Sequence, residues 1–176
     1  MKYMVISDIH GGINELNKTL DIYVKEHCSK LLILGDLFSY GFDEDVSRQD
    51  IINRLNPMKD NIIAVIGNCD NNLNGVIFDM EYFKNIELNN KKIFLSHGDI
   101  YSESQLLDMN KDIIYSGHTH RKKIAREGDT LLVNPGSITL PRDDEKSFAI
   151  VDENEITLRN LNNEIIDIYY FNEKRI

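Results

Sequence analysis

The sequence predicts an α/β fold of two mixed β-sheets with helices outside them. Three observations carry this. Six short apolar runs each end in a polar, usually glycine-bearing turn. An amphipathic helical segment separates the first two runs, as in a βαβ unit. After Lys122 the chain changes to extended runs joined by short turns, the signature of antiparallel strands.

The six runs are "YMVISDIHGG", "LLILGD", "IIAVIGNCD", "KIFLSHGD", "DIIYSGHTH" and "TLLVNPGS". Short segments rich in Ile, Val and Leu with turn punctuation read as strands buried on both faces. Between the first two, Ile13 to His27 is expected to be a helix, with Ile13, Leu16, Leu20 and Val24 at helical spacing on its inner face. Asp45 to Leu55 reads as a second helix, with Val46, Ile52 and Leu55 inward and Pro57 just beyond its end. Glu103 to Met109 reads as a short third. "KKIAREGDTLLV" carries a Gly-Asp turn between two extended runs, and "SFAIVDENEITLRNLNNEIIDIYYF" reads as a three-stranded meander turning at "ENE" and "NNE".

The chain has 176 residues, 41% hydrophobic and 28% charged, which suits one domain spanning 1–176 with a substantial core. No apolar run reaches the roughly 18 residues that a membrane helix needs. The apolar stretch at the N-terminus is too short for a signal peptide and runs straight into a polar motif. Two cysteines, Cys28 and Cys69, argue against a disulfide framework and for a reducing cytoplasm. A net charge of −9 disfavours extended tracking of DNA or RNA, while leaving a phosphate substrate open if bound cations invert the local potential. A homodimer is compatible with the sequence and not specified by it.

Ligands of open α/β sheets bind beyond the carboxyl ends of strands. The strand-end turns there supply Asp8, His10, Asp36, Asn68, Cys69, Asp70, His97, His118 and His120. Asp, His and Asn without a cysteine pair suit a divalent ion of intermediate hardness, such as Mn²⁺, Fe, Ni²⁺ or Zn²⁺, and not a structural zinc site. The donors exceed what one ion with an open position takes. They suit two ions sharing a carboxylate, about 3.5–4 Å apart. His27, late in the first helix, and Cys28, a small packed residue, receive no function. The Asn134–Ser137 turn reads as a tight turn set by Pro135 and Gly136.

"SDIHG", "GDLF", "GNCD", "SHGD" and "GHTH", in this order, resemble the calcineurin-like metallophosphoesterase superfamily. Chain length and "NPGSITLPR" look like its small YfcE-type phosphodiesterase branch. The resemblance implies a four-layer αββα sandwich and a dinuclear centre. By motif position, Asp8, His10 and His120 would bind the first metal, Asp36 would bridge, and Asn68, His97 and His118 would bind the second. Mn²⁺ is the expected ion, with Ni, Fe or Zn as alternatives. The implied reaction is hydrolysis of a small phosphodiester by a metal-bridging hydroxide. The resemblance makes Asn68, Cys69 and Asp70 the catalytic candidates, with Asn68 a ligand, Cys69 a specificity marker beside the centre and Asp70 a carboxylate behind the ligands.

Cys69 stands where many relatives have a histidine that protonates the leaving group or holds the phosphate, and the YfcE-type branch commonly carries the same cysteine. Asp99 replaces a second histidine of the family's "HGH". The loop 38–50 lacks the family's Pro-Arg, leaving Arg48 and Arg142 as candidate outer contacts. Two other functions compete. One is a phosphomonoesterase. The other is a protein-assembly scaffold like the retromer subunit of vacuolar sorting, a lineage whose ligand positions have decayed. All seven are present here.

Overall fold

The computed structural model describes residues 1–38 and 44–172, with the side chains of 44–47 and 103 outside that description. The elements run β1 (Tyr3–Ile6), α1 (Ile13–Lys25), β2 (Lys30–Ile33), α2 (Glu44–Leu55), a 3-10 segment (Asn56–Asn61), β3 (Ile62–Val65), β4 (Met80–Glu81), β5 (Phe83–Leu88) and β6 (Lys91–Ser96). They continue with α3 (Glu103–Leu107), β7 (Ile113–Tyr115), β8 (Lys123–Glu127), β9 (Thr130–Asn134), β10 (Ser147–Val151), β11 (Glu155–Asn160) and β12 (Ile165–Tyr170).

Two mixed sheets form. One has seven strands in the order β12-β11-β10-β1-β2-β3-β4, the other five in the order β5-β6-β7-β9-β8. β1 to β4 pair in parallel, and so do β6, β7 and β9. The closing strands β10, β11 and β12 pair antiparallel, as the turn residues predict.

Alternation along the strands builds the layers. Tyr3 and Val5 of β1 face the space between the sheets, with Leu32, Val65, Leu95, Tyr115 and Val133. Met4 and Ile6 face the opposite way, onto α1 and α2 through Leu16, Leu20, Ile51 and Leu55. Phe94, Ile114 and Leu132 lie on the outer face of the second sheet, under Leu106 of α3. Helix, sheet, sheet and helix thus stack as four layers. A buried Val or Leu side chain contributes roughly 1.5–3 kcal/mol, so the inter-sheet layer fixes how the two sets of strand ends face each other.

The structure corrects the helix and strand readings in detail. α1 ends at Lys25, and Val24 points outward at 67% exposure. Thr19 and Tyr23 are buried instead. The Thr19 hydroxyl donates to the Glu15 carbonyl at 2.9 Å, so this polar residue enters the core satisfied and turns the buried face toward Tyr23. α3 stops at Leu107. β5 is an additional edge strand whose alternating burial carries no continuous apolar run. Ile52 and Leu55 face the core as expected, and the inward expectation for Val46 lies outside the described side chains.

Candidate metal centre

The turns after β1, β2 and β3 of the first sheet carry Asp8 and His10, Asp36, and Asn68, while those after β6 and β7 of the second carry His97 and His118 with His120. The carboxyl ends of both sheets converge there. Among the described residues, ten non-glycine residues have positive φ, and Asp8, His10, Asp36, His118 and His120 are five of them. The others are four asparagines and His27, which lies just past the end of α1. Asn, Asp and His enter this region more readily than other side chains, and non-glycine residues held there cluster at functional sites.

The donor atoms form two groups that share one oxygen. Asp36 Oδ2 lies 3.5 Å from His10 Nε2 and 3.3 Å from His97 Nε2. On the first side, His120 Nε2 is 3.3 Å from Asp8 Oδ1 and 3.3 Å from His10 Nε2. Asp8, His10, Asp36 and His120 offer donor atoms all within 4.8 Å of one another, close enough for one cation. On the second side, Asn68 Oδ1 lies 3.0 Å from His97 Nε2 and 2.9 Å from His118 Nδ1.

The protons are placed so that lone pairs face inward. His120 Nδ1 donates to the Leu140 carbonyl at 2.6 Å, which in the neutral ring leaves Nε2 a bare acceptor pointing at Asp8 Oδ1. That oxygen is buried and has no hydrogen-bond donor. Two acceptors aimed at each other without a donor is an arrangement that a cation satisfies, so the donor set fits a metal ion. His97 Nδ1 likewise donates to the Leu34 carbonyl at 2.7 Å.

Burial pushes the Asp8 carboxyl up from its usual range. Burial also opposes ionisation of Asp36 and His97, but their mutual hydrogen bond prevails. Asp36 is held at about 2 and the His97 imidazole is raised to about 9. Burial lowers the His10 imidazole, favouring the neutral ring that ligates.

Cys69 and Asp70 are near the donors without joining them. The Cys69 backbone N–H donates to Asp36 Oδ1 at 2.7 Å, and its half-buried thiol accepts from Asn68 Nδ2 at 3.4 Å. Asp70 is buried and accepts from the N–H groups of Asp36 and Leu37, both at 2.8 Å, of Gly67 at 2.9 Å and of Phe38 at 3.4 Å. Burial pushes its carboxyl up to about 6, against which these N–H groups favour the ionised form. It ties the turn after β2 to the turn after β3. Gly67 permits that approach, since a Cβ there would stand 2.2 Å from Asp36 Oδ1.

The outer candidates lie apart from the donor set. Arg48 stacks over Phe38 at 4.1 Å and donates to the Asn74 carbonyl at 2.8 Å. Arg142 is exposed and meets the site through its backbone N–H, which donates to the His120 carbonyl at 2.9 Å. Asp99 is exposed. Residues 39–43 of the expected specificity loop 38–50 lie outside the described residues. Cys28 is buried, which raises its thiol to about 11. Asn134 and Ser137, read from sequence only as part of a tight turn, reach the site with their side chains, which donate to the Gly117 and Asp8 carbonyls, and Leu140, which sequence reasoning passed over, meets it through its own carbonyl.

A family model for the calcineurin-like phosphoesterase superfamily domain matches residues 1–155. The chain belongs to this superfamily. It is 28% identical over 175 residues to phosphodiesterase YfcE of Escherichia coli K12, covering 94% of this chain and 95% of that one. The solved structure of E. coli YfcE, described as a phosphoesterase, superposes with a TM-score of 0.89 at 27% identity, covering 98% of this chain and all of that one. Phosphodiesterase MJ0936 of Methanocaldococcus jannaschii is 27% identical over 150 residues, 77% of this chain and 83% of its own. A Vps29 variant from Entamoeba histolytica shares the fold, with a TM-score of 0.70 at 20% identity over 98% of this chain and all of that one. No described helix is long and apolar enough to cross a membrane.

Proposed function

We propose that this protein is a dinuclear metal-dependent phosphodiesterase acting on a small phosphodiester in the cytoplasm, within one domain spanning 1–176. The observation that carries the reading is the pair of donor groups joined at Asp36 Oδ2, with the undonated Asp8 Oδ1 on one side and Asn68 Oδ1 on the other. Asp8, His10 and His120 would hold the first ion and Asn68, His97 and His118 the second, with Asp36 shared between them. Mn²⁺ is the working ion, since mixed carboxylate, amide and imidazole donors suit a cation of intermediate hardness. Ions held there would supply Lewis-acid polarisation of the phosphate and a water acidified at neutral pH.

The chain's own groups do the rest. The Leu34 and Leu140 carbonyls orient His97 and His120 through their Nδ1–H bonds. The Cys69 N–H fixes the outer oxygen of Asp36, leaving the inner one to bridge. Asp70 acts by position, bracing the turns that carry Asp36 and Asn68. The Cys69 thiol borders the site as a weak hydrogen-bonding group. It offers no positive charge to a monoester dianion, which ranks a diester above a monoester.

The test compares rates on an aryl phosphodiester and the matching monoester, with Mn²⁺, Fe²⁺, Ni²⁺ and Zn²⁺, for the native protein and Asp36→Asn. Metal-dependent turnover preferring the diester is expected. Turnover no higher than in Asp36→Asn with every ion removes the enzymatic reading, and a large monoester preference reverses the ranking.

A further inference from the structure

The Asn134–Ser137 segment is a tight turn, and its side chains also grip the metal centre. Ser137 is fully buried. Its hydroxyl donates to the Asp8 carbonyl at 2.8 Å and accepts from the N–H groups of Leu140 at 2.8 Å and Thr139 at 3.1 Å. The Leu140 carbonyl in turn receives His120 Nδ1–H at 2.6 Å. One hydroxyl therefore ties down both the backbone of Asp8, held at φ 54°, and the residue that aims His120. Asn134 adds a grip on the neighbouring loop. Its Nδ2 donates to the Gly117 carbonyl at 2.7 Å and to Thr119 Oγ1 at 3.1 Å, on either side of His118.

The opposite half of the centre is braced by a different group. Asp70 holds the turns bearing Asp36 and Asn68 through backbone N–H groups at 36, 37, 38 and 67. None of these atoms is shared with the Ser137 cluster. The halves are linked by the His118 N–H, which donates to Asp8 Oδ2 at 3.2 Å. Resting on the metal assignment proposed above, the geometry points to Ser137 as a positioning residue that sets the affinity of the first ion (Asp8, His10, His120) far more than that of the second (Asn68, His97, His118). Groups that orient metal ligands are typically worth about 10–100-fold in metal affinity. A hydroxyl that merely stabilised the turn would lower overall stability without favouring one ion.

The experiment is a Mn²⁺ titration, by calorimetry and by electron paramagnetic resonance of unbound Mn²⁺, on the native protein, Ser137→Ala and Ser137→Cys. Two ions are expected in the native protein. Ser137→Ala should bind one with near-native affinity and the other roughly 10–100-fold more weakly. Cysteine keeps nearly the volume of serine and hydrogen-bonds poorly, so Ser137→Cys should share the defect. Unchanged affinities in Ser137→Ala, equal weakening of both ions, or recovery in Ser137→Cys would overturn the inference while the metal assignment stands. If Ser137→Ala does not fold, Ser137→Cys decides by the same readings. A native protein that binds no Mn²⁺ overturns the metal assignment itself, and this inference with it.

Discussion

His120 Nε2 points at Asp8 Oδ1 from 3.3 Å, an oxygen with no hydrogen-bond partner, while Nδ1 of the same ring donates to the Leu140 carbonyl. This facing pair marks the first ion's position in the proposal. His120→Ala is expected to bind one Mn²⁺ in place of two. Losing one ion's charge stabilisation, several kcal/mol, lowers kcat on an aryl phosphodiester by on the order of 10³-fold. Steady-state kinetics at saturating Mn²⁺, with the metal count on the same sample, checks both.

Gly67 lets Asp36 occupy the bridge. A Cβ at 67 would stand 2.2 Å from Asp36 Oδ1 and 2.3 Å from the Asp36 nitrogen, neither at the end of a long flexible chain. Gly67→Ala should cost about 1–3 kcal/mol of stability, as overpacking does. By shifting Asp36 it should also weaken both ions together. Chemical denaturation and a Mn²⁺ titration measure the two effects. A variant with native metal affinities would show that the turn can relax without moving the carboxylate.

Cys69 borders the centre while its backbone, not its thiol, contacts the bridging carboxylate at 2.7 Å. Cys69→His introduces an imidazole with a pKa near 6.5, able to donate a proton at neutral pH. It should leave two Mn²⁺ bound and speed turnover of esters with poor leaving groups relative to activated ones. The slope of log kcat against leaving-group pKa reads this directly. An unchanged slope counts against a leaving-group position for residue 69.

Away from the site, Glu26 joins the end of α1 to the β11–β12 turn. It accepts from Asn163 at 2.8 Å, Arg159 at 3.1 Å and Lys2 at 3.2 Å. The Asn163 hydrogen bond leads in holding its carboxyl below the ordinary 4.5. A folded-state pKa below the unfolded one means that the contribution is complete above about pH 4.5 and fades as pH falls through the lowered value. Glu26→Gln should therefore lower Tm by about 2–4 °C at pH 7, the shift that roughly 1 kcal/mol gives in a chain of this size. The gap should narrow below pH 4. Thermal melts of both proteins at pH 7 and pH 3.5 supply the comparison.

The strands that carry the site were legible because each is an unbroken apolar run closed by a polar turn, as in "LLILGD". β5 was not, since Phe83–Leu88 alternates exposed and part-buried residues at a sheet edge and resembles a loop in composition. Val24 was misplaced because Thr19 counts as polar until its hydroxyl is seen bonded to the Glu15 carbonyl. Asp8, His10, Asp36, Asn68, His97, His118 and His120 stood out because such side chains seldom follow five buried strands by chance. Their supports did not stand out. Ser137 and Asp70 act on backbone atoms, and the Leu34 and Leu140 carbonyls that aim the imidazoles belong to residues whose side chains say nothing about it.

The most direct test of the account is the electron paramagnetic resonance spectrum of the Mn²⁺-loaded protein beside that of Asp36→Asn, with metal counted in each. Two Mn²⁺ per chain with an exchange-coupled spectrum in the native protein, and loss of that coupling in Asp36→Asn, are the results predicted for two ions bridged by one carboxylate. A single uncoupled Mn²⁺ per chain, or the same spectrum from both proteins, would contradict it.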